Sequence, residues 1–292
     1  MAKNEFLPFG IGNGANVLNP TDWLALSSRN AGFATGIAKS KEMNTALRQS
    51  SVITNVVAQF IADNSGKDVL DNGDLSTLQK NLSAALLNSV SGRLLNTQTF
   101  TASGTYIPTT GTKRIRAKVW GAGGGGQGMS STSINSGAVG GGGGAYAESL
   151  IDVTGVTSIS VTVGTGGTAT VAGNNSNGGN GGKSLFGKHI TCEGGLGGNQ
   201  GSIAPVQATG GTIINISGQV AQGGVILSGG IIVGGVGGGS FGSASANPHI
   251  SIPSDNGQFP GGGGAMGTYI SATQLQPSGM GANGYVIVEE YS

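Results

Sequence analysis

Lys113-Arg-Ile-Arg-Ala-Lys-Val-Trp-Gly-Ala-Gly-Gly-Gly-Gly126 sets two structural rules side by side. Up to Trp120, Arg114, Arg116 and Lys118 alternate with Ile115, Ala117 and Val119, the period of a strand with one solvated face. From Gly121 onward the side chains stop. One such run would be a flexible loop, because glycine loses the most backbone freedom on ordering. Further runs occur at Gly140 to Gly144, Gly178 to Gly182, Gly194 to Gly198, Gly234 to Gly239 and Gly261 to Gly264. Many runs in one chain permit another solution, in which extended segments without side chains lie close enough to bond laterally through their amides.

Phe100 to Ile107, Ala145 to Ile151, Ser158 to Val163 and Tyr285 to Glu290 also read as strands. The last can close a sheet begun near residue 100 and make one domain of everything between. The expected fold is therefore mixed: a β-sandwich-like, glycine-rich body with polyglycine-II-like segments, preceded by a small helical module. Composition divides the chain in the same way. Of 292 residues 59 are glycine, 9 of them in residues 1–110 and 50 in residues 111–292; charged residues number 15 in residues 1–93 and 12 thereafter. The expected domains are a helical module over 1–95 and the body over 96–292.

Roughly 7% glycine is average usage, so a chain this rich in it is not a conventional enzyme throughout, and with only 8 prolines it is not collagen either. A net charge of +1 with 9% charged residues excludes a highly charged disordered tail and a basic nucleic-acid binder. Cys192 is the single cysteine, and His189 and His249 are the two histidines, which argues against an intrachain disulfide and a Cys/His metal site. The N-terminus has no apolar signal core, so synthesis in a cytosol is expected.

In the N-terminal module, Asn19-Pro-Thr-Asp22 precedes Trp23 as a helix start, with Thr21 the expected cap. Met43, Ala46, Leu47, Ile53, Val57, Phe60 and Ile61 repeat at helical spacing between Glu42 and Ala62, and Asn64-Ser-Gly66 supplies a stop. Asp74 caps a further helix carrying Leu75, Leu78, Leu82 and Ala85, with Leu86, Leu87 and Val90 widening its apolar stripe. Internal packing of a small helical domain is one reading. Attachment to a larger assembly, or to copies of itself, is the other.

Two groups of motifs carry a resemblance. Phe6-Leu-Pro-Phe9, Gly14-Ala-Asn-Val-Leu18, Arg48-Gln-Ser-Ser51, Ala58-Gln-Phe-Ile-Ala-Asp63 and Asp68-Val-Leu-Asp-Asn-Gly-Asp74 resemble the N-terminal region of phage and prophage tail fibre proteins. Val119-Trp-Gly-Ala-Gly-Gly-Gly-Gly126, Val161-Thr-Val-Gly164 and Gly281-Ala-Asn-Gly-Tyr-Val-Ile-Val288 are similar to the glycine-rich domain of phage tail proteins. The resemblance implies a virion structural protein, a homotrimer in many such fibres. It would attach to the baseplate or tail through its N-terminal end, with Phe6, Phe9 and Trp23 as candidate contacts. At its other end it would touch a polysaccharide or outer-membrane protein of the bacterial host. Two alternatives are a fibre-borne polysaccharide depolymerase and a spacer fibre carrying a separate adhesin.

Glycan hydrolysis needs two carboxylates held a few ångströms apart. Between Lys118 and Glu289 the body offers Glu148, Asp152, Glu193 and Asp255, in no convincing constellation, so no catalytic residue and no cofactor is expected. Gly182-Lys-Ser184 lacks the Walker spacing and a following helix. Recognition falls instead to loops between glycine runs: Ser130 and Asn135 in a Ser/Thr/Asn-rich loop, Phe241, Asn247, His249 and Asp255 in residues 240–258, and Phe259 and Tyr269 flanking a third run. For Phe241 and Phe259 a second reading stands beside recognition, that they fill gaps between glycine segments.

Overall fold

The computed structural model describes residues 2–131, 138–199 and 204–292. It contains two compact units, Met1–Ser91 and Gly92–Ser292. The first holds helices α1 (Pro20–Ala25), α2 (Ser27–Ala31), α3 (Ser40–Ser65) and α4 (Leu75–Ser89). Asn19, not Thr21, caps α1: its side chain accepts from the Asp22 N–H, and Pro20 takes the first helical position, where no N–H is needed. Asp74 caps α4 by accepting from the Thr77 N–H at 3.0 Å. Gly66 ends α3 in the left-handed region, donating to the Ala62 carbonyl.

The lead segment before α1 is pinned along α3. Asn4 bridges Val69, Asn55 donates to the Phe6 carbonyl at 2.7 Å, and the Phe9 N–H donates to Ser51 Oγ at 2.9 Å. Beneath it Ala58, Ile61, Ala62 and Val69 form a small core with Phe6, Leu78 and Leu82 packed against it. The helical stripe is used only in part. Leu47, Ile53 and Val57 of α3 are exposed, as are Leu75, Leu86 and Leu87 of α4.

The second unit is built of antiparallel sheets. Strands β1 (Leu94–Phe100), β2 (Gly104–Tyr106), β3 (Arg114–Trp120), β4 (Ala138–Val139), β5 (Tyr146–Asp152), β6 (Ile159–Thr162), β7 (Ser184–Phe186) and β8 (Ile190–Cys192) come first. There follow β9 (Ala208–Thr209), β10 (Ile214–Ile216), β11 (Gly223–Leu227), β12 (Ile231–Gly234), β13 (Thr268–Ser271), β14 (Gln274–Gln276) and β15 (Tyr285–Tyr291). One five-stranded sheet has the order β1-β15-β3-β5-β10, another β2-β6-β7-β8-β9, and smaller sheets pair β12-β11-β4 and β13-β14. The C-terminal strand lies between β1 and β3, so the end of the chain holds the first sheet together.

Alternation in β3 turns Ile115, Ala117 and Val119 into a buried cluster shared with Val286 and Val288 of β15 and with Tyr106, Val161, Phe186 and Ile190 of the other five-stranded sheet. Glu290 is fully buried at its margin. It accepts from Tyr106 Oη at 2.7 Å and from the Thr109 hydroxyl at 2.6 Å and N–H at 3.0 Å. Burial pushes its carboxyl up, but these donors outweigh that and hold it below the usual carboxylate range.

The glycine runs obey a different rule. Along residues 121–128 the N–H groups of Gly121, Gly124 and Gln127 donate to the carbonyls of Ala145, Gly142 and Val139; those of Ala122, Gly125 and Gly128 to Gly182, Gly179 and Ser176; those of Gly123 and Gly126 to Ala282 and Gly279. The partner changes with every residue and returns every third. Carbonyls of the same run accept from Gly195 and Gly198, from Gly264 and Gly267, and from Gly167. Residues 140–145 repeat the rhythm, donating in turn to Gln222, Gly264, Leu196, Gln219, Gly261 and Glu193. Every N–H of these two runs finds a carbonyl without a ladder of two strands.

Candidate functional site

The outward face of the first sheet begins at the junction with the glycine runs. Register sets Trp120 opposite both Tyr146 and Tyr285, so three rings lie side by side across β15, β3 and β5, with centroids 4.6 Å (Trp120–Tyr146) and 5.7 Å (Trp120–Tyr285) apart. Phe241 stacks on Tyr146 at 4.4 Å, and Phe259 tilts against Tyr285 at 5.0 Å. Trp120 Nε1–H donates to the Phe241 carbonyl at 2.8 Å, anchoring that loop. Both phenylalanines stay half in solvent, at 49% and 52% exposure. They cover the ends of the ring row at Tyr146 and Tyr285 while leaving aromatic surface exposed.

Next to the rings the face becomes charged. Arg116 pairs with Glu148, which also accepts from Tyr146 Oη at 3.0 Å, and Lys118 Nζ lies 2.6 Å from Glu289. Burial and the Glu148 bond push the Tyr146 phenol well above its ordinary range, so it stays a neutral donor. Burial pulls the Glu289 carboxyl up, but Lys118, Tyr291 and Arg116 together outweigh it and hold it below the usual range. Asp152 accepts from the Thr154 N–H at its strand end, and Glu193 is exposed in the loop after β8. Cys192 Sγ–H donates to the Val119 carbonyl; burial pushes this thiol up to about 12, and His189 lies against the Phe186 ring.

A second group of expected residues gathers elsewhere. His249 Nε2 lies 2.9 Å from Asp255 Oδ1, the other oxygen of Asp255 accepts from the Asn247 N–H at 3.2 Å, and Thr268 Oγ1–H donates to the His249 carbonyl at 2.7 Å. Asn247, His249 and Asp255 thus form one bonded set beside β13. Tyr269, the next residue of β13, is half-buried against Met129, Ala138, Ile226 and Met266, and Ser130 follows Met129 directly. Asn135 lies outside the described residues. In the first unit Phe6 packs on the α3 core, Phe9 is exposed and Trp23 half-buried.

Sequence reasoning missed Asn177 and Asn180. They line a cavity with Gly178, Leu196, Gly197 and Asn199, and the Gly197 N–H donates to Asn180 Oδ1 at 2.8 Å. The signal was there as an asparagine at every third position of Asn174-Asn-Ser-Asn-Gly-Gly-Asn180. Among the described residues no three His, Cys, Asp or Glu side chains stand close enough together to hold a metal ion.

The model of the glycine-rich domain family matches residues 97–291, and the chain belongs to that family. A comparison with curated proteins finds no match.

Proposed function

We propose that this chain is a non-enzymatic tail fibre protein of a phage or phage-like particle, working in the virion. In this reading residues 1–95 attach it to the baseplate or tail, and the body, residues 96–292, presents loops to a polysaccharide or outer-membrane protein of the bacterial surface. The observation that carries it is the three-residue hydrogen-bond rhythm of the glycine runs. It supports a polyglycine-II-like bundle, a stem that needs no side-chain core and leaves its loops free to vary. The apolar cluster shared by the two five-stranded sheets supports a β-sandwich-like base from which that stem projects. At about 3.1 Å per residue, run 121–128 carries the chain roughly 25 Å from Trp120 toward Met129.

The exposed apolar residues of α3 and α4 support attachment and homotrimer formation by the first unit, with Phe6, Phe9 and Trp23 near that contact. The carboxylates of the body support a binding role, since Glu148 and Asp255 are already engaged by Arg116 and His249. Exchanging residues 240–260, which hold Phe241, Asn247, His249, Asp255 and Phe259, for the loop of a related fibre should change which cells the parent particle adsorbs to. Unchanged adsorption and host range would refute the receptor-binding role of that loop.

A further inference from the structure

We infer that the groove formed by residues 177–180 and 196–199 binds an uncharged, hydroxyl-rich oligosaccharide. This gives a ligand class to the surface-recognition reading and rests on that reading for its biological setting. The three-residue rhythm places the groups. In the segment 176–182 the carbonyls of Ser176, Gly179 and Gly182 accept from residues 128, 125 and 122, while the N–H groups of Gly178 and Gly181 donate to the carbonyls of Gly198 and Gly195. The Gly179 and Gly182 N–H groups donate in turn to the carbonyls of Thr168 and Thr165, so three neighbouring segments hold this one. Positions 177 and 180, one period of three apart, are both asparagine and both exposed.

The orientation of Asn180 follows from its partner. The Gly197 N–H requires an acceptor, so Oδ1 faces inward at 2.8 Å and the Nδ2 amide, at the opposite edge of the same planar group, is turned away from Gly197. Asn177, Asn180 and Asn199 give the cavity three carboxamides, Leu196 adds an aliphatic surface, and among the described residues its lining contains no charged side chain. Carboxamides donate and accept at once, as sugar hydroxyls do, and a methyl surface suits the C–H face of a pyranose. A lining without cations gives nothing to neutralise a phosphate or sulfate, and one leucine makes no pocket for an apolar peptide anchor. Because the asparagines stand on segments locked by backbone bonds, little further ordering is needed on binding.

The test is calorimetric titration of the purified full chain with short neutral glucans, galactans and mannans, with sialylated and sulfated oligosaccharides as comparators. Asn180→Asp keeps an acceptor for Gly197 but removes the donor, and Asn177→Ala removes an exposed amide. Saturable binding of a neutral oligosaccharide, weakened roughly tenfold in each variant at unchanged melting temperature, is the expected result. Should Asn180→Asp melt early, Asn177→Ala decides alone. Binding of no neutral oligosaccharide, equal binding of the charged ones, or affinity unchanged in Asn177→Ala would overturn the inference. The measurement needs no particle, so its failure leaves the fibre reading to the loop-exchange experiment.

Discussion

The paired sheets and the glycine runs of one domain solve the same problem in opposite ways. In the sheets, backbone bonds join neighbours two at a time, and side chains supply the cohesion: Phe186 and Tyr106, both fully buried, lie with ring centroids 5.7 Å apart over Ile115 and Val119. In the glycine runs the backbone does both jobs. Each residue of 121–126 donates to one of three surrounding segments in rotation, and there is no side-chain layer between them. Cohesion in the first region depends on apolar area and tolerates some repacking. In the second it depends on how closely carbonyls and amides can approach, so adding atoms is more harmful than removing them.

Gly123→Val is the strongest way to test that difference. A Cβ built on Gly123 overlaps the Gly262 carbonyl, and that carbonyl accepts from Ala282, whose own carbonyl accepts from Gly123. Displacing one segment therefore strands several buried groups, at about 1–3 kcal/mol for each left unpaired. Thermal unfolding of the body should show a loss of more than about 3 kcal/mol, built from such groups. A melting temperature within a degree or two of the parent would mean that the runs yield easily and that the contrast with the sheets is false.

Glu290 tests the sheet side, since it is the place where a polar group enters the side-chain core. All its partners are donors, so the carboxylate is the form they select. Glu290→Gln turns an amide donor toward them and should cost about 1.5–3 kcal/mol, the range for hydrogen bonds to a charged group. The sign with pH follows from the lowered carboxyl. The stabilisation is complete above the ordinary glutamate value of 4.5 and is lost as pH falls through the lower folded value. Melting curves of the parent and Glu290→Gln should accordingly differ most at neutral pH and converge below pH 4.5. A gap that stays constant into acid would show that Glu290 acts by packing and not by charge.

Much of the sheet region was legible because its longer strands alternate. Arg114 to Trp120 and Tyr285 to Tyr291 announce their inner and outer faces residue by residue, and even the role of the last strand in closing the sheet could be anticipated. Strands β7 and β8 could not, since three residues each, Ser184–Phe186 and Ile190–Cys192, are too short to show a period. What read as one strand from Phe100 to Ile107 is the end of β1 and all of β2, which belong to different sheets. The Thr21 cap failed because Asn19 and Thr21 are both good caps, and Pro20 decides between them. At the candidate site, residues 240–259 were legible as a loop between glycine runs, whereas Tyr269 stands in β13. Their grouping was not, because Phe241 meets Tyr146 and His249 meets Thr268 through long-range contacts. The asparagine groove was hidden for a different reason: a period of three carries no meaning until the hydrogen-bond partners are known to return every third residue.

The smallest predicted effect bears on whether glycine as such, or only close approach, distinguishes the two regions. Gly223 begins β11 and pairs with Val139 at the end of run 139–145, so by sequence it belongs with the other glycines. An added Cβ there meets nothing within 4 Å, and its backbone is outside the left-handed region. If crowding is the cause of glycine dependence, Gly223→Ala removes only freedom from the unfolded chain. It should then be neutral or stabilise the body by up to about 1 kcal/mol, whereas Gly123→Ala, at a position where the Cβ collides with backbone, destabilises it. Paired denaturation curves of the two alanine variants check this. Equal losses at both positions would mean that the region needs glycine for its backbone conformations throughout, and the close-approach account would have to be replaced by a conformational one.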